Sequence, residues 1–328
     1  MTDRDLVPLI RLAPAKVNLT LSIGPRRPDG YHALHSVMVP LAMSDRLSVA
    51  RAHGPDDSLH VTGEDGPPRA DDLVLRGIAA ARRGVGRSVG RDVEAFPLAA
   101  RLEKRLPLAA GLGGGSSDAA AAIEAALAAW GVELDLAERI SIAADVGSDV
   151  PFFLAGGPAL VEGRGERVTP LAQPTGRPIG LLIVTPALAL STTEAFRLLD
   201  AGGPGAPADP QSTRLTSEHL AAELRAGLAG ASLVARAGVL AAANDLMNAA
   251  TALAPDLRAF RRSLVRQLGR PVGQSGSGPT MWALYASLED AESAAQRLRE
   301  AVAAGELVGP GAHPPRIEAT TMAGRSER

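Results

Sequence analysis

The chain has 328 residues, 46% hydrophobic and 21% charged, with a formal net charge of −2 and no cysteine. This length and apolar content fit two packed domains and exclude wholesale disorder, while the lack of a basic excess sets aside a nucleic-acid or anionic-membrane partner. Without cysteine there are no disulfides, thiolate-metal sites or thiol nucleophiles, so the chemistry must use oxygen, nitrogen or the backbone.

In chain order, the opening Met1-Thr2-Asp3-Arg4-Asp5 is unlike a signal or transit peptide. No stretch approaches the ~20 apolar residues of a bilayer span, so a cytoplasmic location is expected. From Ala15 to Ile23 apolar and polar residues alternate, which predicts a half-buried strand with Lys16 and Asn18 on one face. Pro28-Asp29-Gly30 marks a turn, with strands expected over Tyr31 to Leu41 and Arg46 to Ala50. A Gly/Pro/Asp-rich connection around a short strand covers His53 to Asp72, and a helix Leu73 to Arg83. A strand is expected within Val93 to Leu102. A glycine run, Gly111 to Gly115, opens an Ala-rich helix from about Ser116 to Trp130, closed by Gly131. Leu136 to Val146 reads as a second helix, and Val150-Pro151 predicts extended backbone for Phe152, Phe153 and Leu154. A strand pair around Ala159 to Val161 and Val168 follows.

Pro174 to Pro178 is the expected boundary between an N-terminal domain, 1–175, and a C-terminal domain, 176–328, whose first strand is Ile179 to Val184. Beyond the flexible Gly202 to Pro210 come helices at Ser217 to Leu228, Leu233 to Ala242 and Leu257 to Leu268. A Gly/Ser loop, a strand at Met281 to Tyr285 and a helix at Glu289 to Ala303 follow, with residues from about Thr320 expected to fray. Strands and helices segregated in this way predict an α+β protein.

Candidate chemistry concentrates at a few places. Pro107-Leu108-Ala109-Ala110-Gly111-Leu112-Gly113-Gly114-Gly115-Ser116-Ser117-Asp118 puts flexible backbone and two hydroxyls at the mouth of a helix. There converging N–H groups and the positive dipole end attract phosphate; the plainer reading is a turn with Ser116, Ser117 or Asp118 as N-cap. The run is neither a Walker loop nor a Rossmann fingerprint. Gly273-Gln274-Ser275-Gly276-Ser277-Gly278-Pro279 is a second flexible junction, able to clasp the other side of a phosphate chain or simply to join helix and strand. Asp149 lies between a helix stop and Val150-Pro151, either as a cap or as a proton acceptor. The only lysines are Lys16 and Lys104. If Lys16 meets Asp149 it would keep that carboxylate ionised and oriented, whereas Lys104 is expected on the surface near the phosphate loop. Tyr31 and His32 follow a tight turn and can stack on or hydrogen-bond a planar group. His35, His53, His60, His219 and His313 lack metal-ligand spacing, so histidine-held metal is not expected.

Ala13-Pro14-Ala15-Lys16-Val17-Asn18-Leu19, the run Pro107 to Ala119, and Gly276-Ser277-Gly278-Pro279, in that order and spacing, resemble the three signature motifs of the galactokinase, homoserine kinase, mevalonate kinase and phosphomevalonate kinase (GHMP) superfamily. Arg27-Pro28-Asp29-Gly30-Tyr31-His32 and Gly147-Ser148-Asp149-Val150-Pro151-Phe152-Phe153 are similar to its branch acting on a cytidine-bearing methylerythritol. The resemblance runs from about Leu12 to Tyr285. It implies an N-terminal domain like the second domain of ribosomal protein S5, a ferredoxin-like C-terminal domain, and a site in the cleft. It further implies ATP- and Mg²⁺-dependent transfer of the γ-phosphoryl group to the 2-hydroxyl of the methylerythritol moiety, in the non-mevalonate route to isoprenoid precursors. By the same resemblance Asp149 is the base and Lys16 its partner, and Asn18, Tyr31, His32, Thr192 and Phe196 line the substrate pocket, with Tyr31 and His32 near the cytosine. Pro107 to Ser117 and Ser275, Gly276, Ser277 and Gly278 hold the ATP phosphates. Asn244-Asp245-Leu246-Met247 departs from the family's pattern in its methionine. The partner implied is a small molecule carrying a cytidine diphosphate, with no nucleic acid and no membrane, and the chain acting as a monomer or homodimer. The rivals are a homoserine- or mevalonate-type kinase of the same superfamily, and a sensor that binds ATP and ligand without turnover. Asp149 weighs against the homoserine branch, and Tyr31-His32 favour a nucleotide-bearing acceptor.

Overall fold

A computed structural model describes residues 8–52, 54–63, 72–89 and 96–324. The expectations for Met1 to Asp5, for His53, for residues 64–71 of the Gly/Pro connection, for residues 93–95 and for residues 325–328 lie outside these. The elements run β1 (Leu9–Asn18), β2 (Ser22–Arg26), β3 (His32–Arg51), β4 (Ser58–Gly63), α1 (Leu73–Val89), β5 (Leu98–Lys104), α2 (Gly114–Trp130), α3 (Leu136–Ala144), α4 (Val150–Leu154), β6 (Ala159–Gly163), β7 (Arg167–Pro170) and β8 (Gly180–Thr185). They continue with α5 (Thr192–Ala201), α6 (Pro210–Arg225), α7 (Gly230–Ala235), α8 (Ala237–Ala242), α9 (Met247–Leu253), α10 (Asp256–Leu268), β9 (Gly273–Gln274), β10 (Met281–Tyr285), α11 (Leu288–Ala303) and β11 (Arg316–Thr321).

The half-buried strand expected over Ala15 to Ile23 is two strands, β1 ending at Asn18 and β2 beginning at Ser22, and its polar side is buried too, at Lys16, Asn18, Thr20 and Ser22; Ala15 and Val17 share one side of β1, as the period-two pattern requires. The two strands expected over Tyr31 to Ala50 are one twenty-residue strand, β3. Flanking partners hold it extended throughout, β2 and β6 along its first half and β1 and β5 along its second. β3 thus organises a seven-stranded sheet, with β4-β5-β3-β6-β7 in order and β1 and β2 also on β3. The second sheet has the order β11-β8-β10-β9. With helices after β8 and β10, this is the β-α-β-β-α-β arrangement of ferredoxin-like folds. The molecule is α+β, as the segregated pattern predicts.

The packing is layered. α1 to α4 cover one face of the first sheet through Ile78, Ala122, Ile123, Trp130 and Phe152. Its other face, with Val17, Leu19 and Val37, packs on Leu181, Ile183 and Trp282 of the second sheet. Alternate residues of that sheet, Leu182, Val184 and Met281, face α10 and α11. Residues 171–179 connect the sheets. No described helix is long and apolar enough to cross a membrane.

Three further expectations are corrected. Residues 150–154 are helical, because Pro151 occupies the first turn, where its missing N–H costs nothing. The chain beyond Thr320 does not fray at once, since β11 pairs with β8 as far as Thr321 and the Ala323 N–H donates to the Pro40 carbonyl at 2.9 Å. The helix expected over Leu233 to Ala242 is two short ones meeting at Arg236. α5 and α9 were not expected, although Ser191-Thr192-Thr193-Glu194 is a helix-start signature and the Ser191 hydroxyl accepts the Glu194 N–H at the start of α5.

Candidate active site

At Lys16 the β1–β3 register shifts, and Lys16 stands opposite Pro40, which has no N–H to give. The Lys16 N–H instead donates to the Leu112 carbonyl at 2.8 Å, fastening the strand to the glycine run. Bulges of this kind re-aim side chains beside active sites. The Lys16 ammonium, nearly buried, donates to Asn18 Oδ1 at 2.8 Å and to the Gly111 carbonyl at 3.0 Å, and lies 3.7 Å from Asp149 Oδ2. Asn18 is held in turn by its Nδ2, which donates to Ser36 Oγ at 2.8 Å.

α2 starts at Gly114, two residues before the expected start, and its N-cap is Gly113 (φ 70°), not a serine or Asp118. No side chain caps this end, so the first-turn N–H groups remain free for an anion. Gly111 (φ 78°) also sits in the left-handed region, and a Cβ there would lie 2.5 Å from the Ser275 carbonyl oxygen. Ala109 is held at φ 48° in the same run, a strained geometry of the kind found at ligand sites. The two glycine loops touch directly, since Ser275 Oγ donates to the Gly111 carbonyl at 2.9 Å and the Asn18 N–H donates to Ser275 Oγ at 3.3 Å.

A cleft of about 480 Å³ opens over this mouth, lined by residues 107–116 together with Lys16, Asn18, Asp149, Gly276 and Ser277. A second lobe of about 680 Å³ is lined by Tyr31, His32, Arg164, Arg197 and Asp200 among others. Asp149, Ser116, Thr192 and Phe196 line both. Asp149 makes no capping bond to α4, so its carboxylate stands where the lobes meet, about one third exposed beside the Lys16 charge.

Among the expected site residues, Ser117, Ser275 and Gly278 do not line either lobe. Ser117 is buried with Oγ unpartnered among the described residues. Ser275 and Gly278 brace the loop, with the Gly278 N–H donating to the Ser275 carbonyl at 2.9 Å. In the second lobe His32 Nδ1 donates to the Gly24 carbonyl at 2.9 Å, its ring lies 5.4 Å from that of Phe196, and its Nε2 stands 2.9 Å from Asp200 Oδ1, off the hydrogen-bond axis. The Arg164 guanidinium sits 5.3 Å over the Tyr31 ring. Thr192 Oγ1 and Ser277 Oγ share a 2.9 Å hydrogen bond that joins α5 to the second loop.

The expected surface position of Lys104 is wrong. Its ammonium is buried under Gly114, 2.5 Å from Asp45 Oδ2 and 2.8 Å from Asp118 Oδ2. Asp45 Oδ1 also accepts the Arg105 and Leu106 N–H groups at 2.5 and 2.8 Å. Burial, the largest influence, pushes the Asp118 carboxyl up to about 8. Sequence reasoning singled out Lys104 only by the rarity of lysine. It missed Asp200 and Arg164, for which no local signal exists.

Residues 72–157 match the GHMP kinases N terminal domain and residues 224–304 the GHMP kinases C terminal domain. The 4-diphosphocytidyl-2-C-methyl-D-erythritol kinase of Anaeromyxobacter sp. (strain Fw109-5) is 40% identical over 295 residues, covering 89% of this chain and 87% of the relative. Its namesake from Salinispora arenicola (strain CNS-205) is 42% identical over 298 residues, 87% of this chain and 86% of the relative. Among solved structures, a 4-(cytidine 5'-diphospho)-2C-methyl-D-erythritol kinase superposes with a TM-score of 0.67 at 33% identity, over 96% of this chain and 100% of that one. A homoserine kinase from Cytophaga hutchinsonii reaches 0.68 at 19% identity, over 98% and 96%. Backbone likeness alone therefore fixes the fold and does not separate acceptors.

Proposed function

Because the chain belongs to the GHMP kinases and, among them, to the 4-diphosphocytidyl-2-C-methyl-D-erythritol kinases, we infer that it transfers the γ-phosphoryl group of ATP to the 2-hydroxyl of 4-diphosphocytidyl-2-C-methyl-D-erythritol. The products are the 2-phosphate and ADP, in the non-mevalonate route to isoprenoid precursors. The observation that carries the reading to residues is the position of Asp149, shared by both lobes and 3.7 Å from Lys16.

The phosphate lobe, with the uncapped mouth of α2 and the Gly276-Ser277 backbone, receives the triphosphate. The second lobe receives the cytidine end between Tyr31, His32 and Phe196, and its arginines suit a diphosphate. The acceptor hydroxyl then faces Asp149. As its oxygen bonds to the γ-phosphorus and the bond to the β–γ bridging oxygen breaks, the hydroxyl proton passes to the Asp149 carboxylate. Lys16 keeps that carboxylate oriented and adds positive charge beside the developing transition state. Asn18 and the Gly111 carbonyl hold Lys16 in place.

Among the described residues no three His, Asp or Glu side chains gather as a metal cluster. Ser116 and Ser277 place hydroxyl oxygens in the phosphate lobe, hard donors suited to Mg²⁺, which takes most of its ligands from phosphate and water. When bound with ATP, Mg²⁺ would neutralise phosphate charge. A cytoplasmic location and action as a monomer or homodimer complete the reading.

The test is ADP release from Mg-ATP with four acceptors in parallel. Turnover is expected with the cytidine diphosphate compound and not with mevalonate, homoserine or galactose. Turnover of another acceptor would overturn the substrate, and binding without turnover would favour the sensor. Asp149→Asn is expected to keep ATP affinity while lowering kcat by ~100-fold or more.

A further inference from the structure

Away from both lobes, α9 and α10 enclose a separate cleft of about 650 Å³. One wall is a stripe of α10 in which Arg258, Arg262 and Arg266 stand at i, i+4 and i+8, with Arg261 beside them. Like charges at this spacing repel and weaken a helix. Elsewhere Arg139, Arg197, Arg214 and Arg236 each rest against a carboxylate. Among the described residues Arg258 and Arg262 make no ion pair or hydrogen bond, and Arg266 donates only to Ser263 Oγ at 2.8 Å. Arg261 is fixed by the Val272 and Ala241 carbonyls, to which its Nε and Nη2 donate at 2.7 and 2.9 Å. Among the described residues no acidic side chain lines the cleft. The charge is left standing on one wall of a concavity, where it is able to act on an anion.

The remaining lining is largely apolar, with Met247, Pro271 and Val265 at the sides and Val272 and Met281 below. Val265 remains 39% exposed in the middle of the arginine stripe. Guanidinium groups beside an apolar floor select an anion that carries an apolar body, and the volume falls in the range of small-molecule sites. No lining residue is shared with the catalytic lobes. The floor is nevertheless the stem of the second glycine loop, because Met281 pairs with Gln274, and one Asn244 Nδ2 donates to both the Gln274 and Gly276 carbonyls at 3.0 Å.

We propose that the cleft between α9 and α10 is a second ligand site, taking an organic anion with its charged end on the arginine wall at Arg258 and Arg262 and its apolar body against Met247, Val265 and Met281. The site is independent of turnover, so a failed kinase assay leaves it standing and its own failure leaves the kinase reading intact.

The experiment is titration calorimetry on the full chain with both catalytic lobes occupied by a non-hydrolysable ATP analogue and cytidine diphosphate. Geranyl diphosphate and inorganic pyrophosphate are the probes. Geranyl diphosphate is expected to bind once per chain, about tenfold or more tighter than pyrophosphate, because only it uses the apolar floor. Arg258→Ser/Arg262→Ser, two changes on an exposed helix face, is expected to weaken binding about tenfold or more with kcat unchanged. Val265→Glu, placing a carboxylate among the arginines, should do the same. Equal affinity in wild type and both variants, equal affinity for the two probes, or no heat at millimolar probe would each overturn the proposal.

Discussion

The buried cluster beneath α2 allows charge to be assigned by counting donors. Asp45 accepts three, from Lys104 Nζ and the Arg105 and Leu106 N–H groups, whereas Asp118 accepts one, from Lys104 Nζ, and leaves Oδ1 unpartnered among the described residues. With burial pushing the Asp118 carboxyl up to about 8, Asp118 is uncharged at neutral pH beside the Lys104 ammonium. In the unfolded chain Asp118 titrates near the ordinary value of about 3.9, so folding at pH 7 takes up a proton. The folded value is the higher one. The group's contribution is therefore complete below about pH 4 and is lost as pH rises through about 8, at up to about 1.4 kcal/mol per pH unit. Asp118→Asn keeps the shape and removes the titration. Urea unfolding is expected to find the variant equal to wild type near pH 4 and more stable at pH 7 by roughly 2–4 kcal/mol. Asp45→Asn turns an amide against one of three donors and should destabilise at every pH, by about 3–5 kcal/mol. An Asp118→Asn protein less stable than wild type at pH 7 would refute the assignment.

Gly111→Ala forces a Cβ to 2.5 Å from the Ser275 carbonyl oxygen at φ 78°; a loss of about 2–4 kcal/mol on thermal unfolding and a raised KM for ATP are expected. Asp200→Asn removes the carboxylate beside His32 Nε2 and should raise the acceptor KM about tenfold with the ATP KM unchanged, in steady-state assays. Removing residues from 314 onward strips β11 from β8 and bares an apolar strand edge; the expected result is loss of soluble protein on expression.

Features governed by local backbone rules were legible in the sequence. The alternation around Lys16 and Asn18 reports a strand because side chains on a pleated backbone face opposite sides in turn. β10 was read with the bounds that it has, and the Gly131 stop of α2 lies where an αL residue ends the helix. Where two local rules compete, the reading failed. The rule that a residue before proline is extended lost at Val150 to the rule that proline suits a helix's first turn. β11 has no strong alternation, and only its six-residue pairing with β8 makes it a strand.

The site divides along the same line. A glycine announces a positive φ or a close approach wherever it stands, so the runs at Gly111 to Gly115 and Gly276 to Gly278 were visible as places where backbone meets something. What they meet is a matter of pairs far apart in sequence. Lys16 reaches Gly111 across 95 residues and Asn18 reaches Ser275 across 257, and no periodicity encodes such a meeting. Lys104 shows the limit most clearly. Its neighbours in sequence, Glu103 and Arg105, are half exposed and paired with each other, which is the pattern of a solvated strand end. Its burial depends on Asp45 from β3 and Asp118 from α2 being present together, since an ammonium enters an apolar interior only where carboxylates meet it. A single buried charge therefore cannot be read from its own segment, because the reason for its burial lies in two others.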